Sequence, residues 1–135
     1  MKKIILFILL TFLATACSTD AEGDNLQYFI APVDSVTMPD TFELNSVNTI
    51  MVKYKRPTEC HIFNGFFYEM EGSTRTVAVQ FAKLDQSSCL TDETVYEVPL
   101  DFLPTTAGTY LFKFWTGTSD EGVDTYIEAE AIVGQ

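Results

Sequence analysis

The sequence predicts an all-β domain, an antiparallel β-sandwich of seven to eight strands, on three observations. From Leu26 onward apolar residues recur with a period of two, and no window carries an apolar stripe at helical spacing. Turn formers separate the runs at Pro39-Asp40, Arg56-Pro57, Glu71-Gly72-Ser73, Gln86-Ser87-Ser88, Leu103-Pro104 and 117–122, through the fixed φ of proline and the free φ of glycine. The runs are short and evenly spaced, seven or eight in about 110 residues, which suits two packed sheets.

Taken in order, the strands are expected at Tyr28–Thr37, Thr41–Leu44, Asn48–Lys55, Ile62–Met70, Thr74–Leu84, Thr94–Phe102, Thr109–Trp115 and Val123–Val133. Alternation assigns their faces. Ile50, Val52 and Tyr54 oppose Thr49, Met51, Lys53 and Lys55; Val77, Val79 and Phe81 oppose Thr76, Ala78 and Gln80. Near the end Ile127, Ala129, Ala131 and Val133 oppose Glu128 and Glu130. Each is the pattern of a strand with one face buried and one wet. The run Phe63-Asn64-Gly65-Phe66-Phe67-Tyr68 has bulk on both sides, so alternation leaves its inward set open.

The stretch Ala107-Gly108-Thr109-Tyr110-Leu111-Phe112 resembles the tyrosine corner of immunoglobulin-like domains, in which the phenol anchors a crossing between sheets. The resemblance implies an immunoglobulin-like sandwich with Tyr110 inward. Phe112 stands where antibody-type domains place a cysteine, and no tryptophan lies on the strand that should carry one. A bacterial immunoglobulin-like sandwich with its disulfide elsewhere is therefore the expectation for residues 26–135.

Before that domain, Met1-Lys2-Lys3 leads into an apolar run from Ile4 to Leu13 that ends in Ala14-Thr15-Ala16-Cys17. A span needs about 20 apolar residues, and the positive start, short apolar middle and Ala-x-Ala ending fit a secretory signal peptide at 1–16 instead. The junction resembles the lipobox of bacterial lipoproteins, with Ala14 where that family favours leucine. The resemblance implies export, lipidation of Cys17 and an outer-membrane location, with the lipid as the membrane contact. Past Cys17, residues 18–25 hold no apolar side chain larger than alanine, so 17–25 reads as a lipidated cysteine and a flexible tether. Their acidic cluster resembles the surface-export signal of some Gram-negative lipoproteins.

Charge narrows the partners. Without the signal peptide, which holds two of the eight basic residues and none of the nineteen acidic ones, net charge goes from −11 to −13 over 119 residues. So acidic a surface repels nucleic acid and anionic headgroups. Three cysteines are an odd number for an exported chain. Giving Cys17 to lipid leaves Cys60 and Cys89 as a disulfide pair. A zinc site from Cys60, His61 and Cys89 is the competing arrangement, but adjacent strand residues face opposite ways and no fourth ligand has suitable spacing.

Nucleophile, metalloprotease and phosphate-loop motifs are absent, and His61, the single histidine, has no serine or aspartate at motif spacing. Glu128 and Glu130 would sit about 7 Å apart on one strand face, a separation glycosidases use, but in so acidic a chain such pairs arise readily. Asp120, Glu121 and Asp124 miss the EF-hand calcium pattern. Asp34-Ser35-Val36 resembles the O-glycosylation signal of some Gram-negative exported proteins, which makes Ser35 a candidate modification site.

Aromatic residues on faces that should be wet are the remaining signal. With Tyr110 inward, parity sends Lys113 and Trp115 outward, and Tyr126 joins them on the next strand, with Phe67 a further candidate. The sequence thus reads as a surface-anchored lipoprotein whose domain is a non-catalytic binding or structural module, needing no cofactor and no metal. A glycan and a protein partner stay open as ligands. A small surface enzyme or enzyme inhibitor, and an accessory subunit of a larger outer-membrane complex, are the rival readings.

Overall fold

The computed structural model describes residues 26–83, 85 and 88–134. They form eight strands: β1 Gln27–Ala31, β2 Val33–Thr37, β3 Asn48–Lys55, β4 His61–Glu71, β5 Thr74–Lys83, β6 Val95–Phe102, β7 Gly108–Thr118 and β8 Asp124–Val133. β2, β3 and β6 make one sheet. In the other, β5 pairs with β4 along one side, and on its other side with β1 and then β7, which carries β8 beyond it. This is the expected β-sandwich of eight strands, and its strand pairings are antiparallel apart from β5 with β7.

Two departures from the expected strands have clear causes. The expected run Tyr28–Thr37 divides at Pro32, which offers no N–H to a ladder, and β1 and β2 thereby join different sheets. Thr41–Leu44 forms no strand; only Phe42 bridges to Val133. That segment is held instead by buried Asn48, whose Nδ2 donates to the carbonyls of Glu43, Ser46 and Phe102 while its Oδ1 accepts from Glu43 N at 2.8 Å. One amide side chain there satisfies backbone groups that would otherwise need a ladder.

The core lies where alternation put it. Ile50, Val52 and Tyr54 from one sheet meet Val77, Val79, Phe81, Phe112, Phe114, Ala131 and Val133 from the other, all buried. Phe102 packs edge-on against both Tyr110 and Phe112, each at 5.0 Å between ring centres, a geometry that suits ring quadrupoles. In β4 a bulge settles the ambiguous aromatic run. Phe63 pairs with Phe81 and Gly65 with Gln80, so Asn64 is an extra residue and parity resets. Phe63, Phe66 and Tyr68 consequently pack against the core, and Phe67 is left outside. Gly65 has φ of 128°, a region side chains disfavour.

Two features fasten the crossings between sheets. At the β6–β7 crossing the Tyr110 hydroxyl donates to the Thr106 carbonyl at 2.8 Å, the bond of a tyrosine corner. The β3–β4 and β5–β6 connections are joined by the Cys60–Cys89 disulfide, whose Cα atoms are 5.6 Å apart. Glu59 N donates to Leu90 O at 3.0 Å and Asp92 N to Pro57 O at 3.3 Å beside it. Asp92 also accepts from Arg56 Nε, from Tyr96 Oη at 2.8 Å and from Thr94 N at 2.9 Å. The Arg56 bond, followed by those from Thr94 and Tyr96, holds the Asp92 carboxyl well below the usual carboxylate range. The Arg56 guanidinium in turn lies over the Tyr96 ring at 4.5 Å.

Candidate functional site

The outer face of the five-stranded sheet carries a shallow groove of about 270 Å³ lined by Ile30, Phe67, Thr76, Ala78, Trp115 and Tyr126, with Glu69 and Asp124 at its rim. Register explains its composition. Phe67 on β4 pairs with Ala78 on β5, and Trp115 on β7 pairs with Tyr126 on β8. Ala78 follows Val77, the last residue of β5 registered with β7, opposite Phe114. The four residues therefore form one row across the sheet. Ala78, 3% exposed, is the floor between larger side chains, while Phe67 and Ile30 remain 42% and 49% exposed.

A second row runs beside the first, two residues away along each strand and so about 7 Å distant. It consists of Glu69, Thr76, Lys113 and Glu128, paired in that order across β4, β5, β7 and β8. Lys113 Nζ lies 3.7 Å from Glu128 and 4.6 Å from the centre of the Tyr126 ring. Its charge is thus shared between a carboxylate and an aromatic face.

The indole of Trp115 is fixed at its edge. Nε1 donates to Asp124 Oδ1 at 3.0 Å, and the same oxygen accepts from Thr118 Oγ1 at 2.7 Å. These two bonds, the Trp115 bond first, lower the Asp124 pKa and keep the carboxylate charged. The hairpin acid Asp124 therefore orients a ring. Among the described residues, no group of three or more His, Cys, Asp or Glu side chains is arranged to hold a metal ion.

The structure brings Phe67, Trp115 and Tyr126 around one groove and sets Lys113 against it. Trp115 is half-buried rather than fully wet, with Asp124 hydrogen-bonded at its indole edge. Ile30, Glu69, Thr76, Ala78 and Asp124 were not legible as partners. Asp124 reaches Trp115 through the β7–β8 hairpin, while the nearness of Ile30, Glu69, Thr76 and Ala78 to Trp115 depends on the parallel register of β5 with β7, which no local pattern encodes.

Apart from Glu128, which stands in the row beside the groove, the other sequence candidates lie elsewhere. Cys60 and Cys89 form the expected disulfide, whereas the signal peptide, Cys17 and the tether lie outside the described residues. Ser35 is half-exposed on edge strand β2 beside a bulge at Asp34. His61 Nδ1 shares a 2.8 Å hydrogen bond with Thr58 Oγ1, and its ring stands edge-on to Phe29 and Phe81. Burial, then the charge of Lys83, lowers its pKa against an opposing hydrogen bond to the Thr58 backbone carbonyl. Glu128 and Glu130 are exposed on β8.

A larger cleft, about 530 Å³, opens between Phe66, Tyr68, Leu100, Leu103 and Tyr110, with Arg75 at its edge. Arg75 Nη1 donates to the carbonyls of Gly72 and Thr74, and its guanidinium lies 5.0 Å from the Tyr110 ring centre. That cation serves the β4–β5 turn and the tyrosine corner.

Compared with known proteins, the chain matches no family model, no curated protein and no solved structure. The functional reading therefore rests on the geometry of the sandwich and its outer face.

Proposed function

We propose that this chain is a lipid-anchored module of the outer membrane whose sandwich binds a cell-surface partner, without catalysis, through the groove at Trp115. The observation that carries the reading is a row of three large rings about a small floor residue, on a sheet face over which the described residues place no second layer. Accessible rings, one of them held at its edge by Asp124, give large contact area at low entropic cost. Buried alternation elsewhere in the sheet makes the exception informative, since core packing does not need Phe67, Trp115 or Tyr126.

Anchoring through Cys17 and export by the signal peptide belong to the same proposal. Three acyl chains at about 0.8 kcal/mol per buried methylene would hold the domain at the membrane without help from its acidic surface. The tether would leave the groove free to face outward. Enzyme and inhibitor readings lack a comparable carrier, for the groove is shallow and its carboxylates do not converge on one point.

Replacing Trp115 with alanine tests the reading. The variant should lose binding to isolated cell-surface material while its melting temperature falls only slightly. A large loss of stability with binding intact would make Trp115 a packing residue and sink the proposal.

A further inference from the structure

From the two rows of the groove we infer that the ligand is a neutral oligosaccharide, a refinement that rests on the groove being the binding site. A sugar ring presents an apolar C–H face and a rim of hydroxyls that both donate and accept. The groove offers both complements side by side. Phe67, Trp115 and Tyr126 supply ring surface around Ala78. The adjoining row supplies the acceptors Glu69 and Glu128, the donor Lys113 and the hydroxyl of Thr76. Asp124 spends Oδ1 on Trp115 and Thr118, which leaves Oδ2 for a ligand hydroxyl.

Charge decides among sugars. Glu69, Asp124 and Glu128 face a single ammonium, that of Lys113, and the whole chain is acidic. A uronate or sulfated sugar would meet like charge in the groove. Size agrees with one ring in the groove and the rest of the chain over its open ends, since about 270 Å³ falls just below the roughly 300–1,000 Å³ of pockets for drug-sized ligands.

An extended peptide fits less well. β5 and β7 are interior strands, each paired on both sides. Their backbone groups are used in ladders and cannot take an added strand, the way sheets commonly bind peptides. Whatever sits in the groove is read by side chains alone.

Trp115 is the chain's only tryptophan, so its emission reports the groove directly. The full chain in detergent is titrated with gluco-, manno-, galacto- and xylo-configured neutral hexasaccharides, a galacturonic acid hexasaccharide and a panel of mixed-sequence peptides. At least one neutral sugar should shift the emission. Phe67→Ala and Ala78→Arg, the latter placing a long side chain on the groove floor, should each weaken that response about tenfold or more. Melting curves check that both variants fold, and each serves as control for the other. Equal response to the galacturonic acid probe overturns the inference. A peptide response lost in both variants, with no sugar response, overturns it while leaving the groove as the site. A sugar response untouched by both variants overturns the sugar inference and the site together, and no response to any probe overturns the inference.

Discussion

Breaking the Cys60–Cys89 bond by the double change Cys60→Ala and Cys89→Ala should weaken the domain without unfolding it. The bond closes a loop with a sequence separation of 29, and the chain-entropy relation gives about 3.5 kcal/mol for a loop of that length. Against a usual total of about 5–15 kcal/mol, that is a substantial share. Converted at about 4 °C per kcal/mol, the melting temperature should fall by on the order of 15 °C. The fold should survive because the same two connections are tied by Glu59 N to Leu90 O, by Asp92 N to Pro57 O, and by the Arg56–Asp92 pair. The assay is urea unfolding followed by circular dichroism, with intact and double-variant chains in parallel. A loss below about 1 kcal/mol would show that loop closure in the unfolded chain is not what the bond supplies. A variant already unfolded in water would show that the hydrogen bonds and ion pair are too weak to hold the crossings alone.

Three further outcomes are expected. Tyr110→Phe removes only the hydroxyl that donates to Thr106, and should cost about 1 kcal/mol, near 4 °C in melting temperature; an unchanged melting point would deny the corner its role. Because the folded Asp92 pKa is depressed, its contribution is present above the unfolded value of about 3.9 and is lost as pH falls through the folded value. The melting-temperature gap between the native chain and Asp92→Asn should therefore be widest near neutral pH and narrow below about pH 4, and a gap independent of pH would contradict that assignment. Cys17→Ala should move the protein from the membrane to the soluble fraction; a variant that stays membrane-bound would refute lipid anchoring.

Much of the fold was legible because the sandwich is built from period-two strands. Ile50-x-Val52-x-Tyr54 and Val77-x-Val79-x-Phe81 are buried as their alternation required. Tyr110 fixed the parity of β7 from one motif. What could not be read locally was any choice set by a bulge or by another strand. The extra residue Asn64 decided which of the crowded aromatics on β4 turned inward. Thr41–Leu44 looked like a strand, but Asn48 supplied the hydrogen bonds that a partner strand would have given. Trp115 and Tyr126 were visible as outward residues, whereas Phe67 waited on the β4 bulge and the joining of the β4–β5 half of the groove to the β7–β8 half depended on the parallel pairing of β5 and β7, a contact between segments far apart in sequence.

The central claim, that the outer face of the five-stranded sheet is the contact surface, can be put to intact cells. Phe67, exposed beside the groove, is replaced by a photoactivatable phenylalanine, and Thr49, exposed on the three-stranded sheet, is replaced likewise as the control. Irradiation should give a discrete adduct, of protein or glycan, from position 67 and none from position 49. Adducts from position 49 alone would place the contact surface on the opposite sheet and contradict the account.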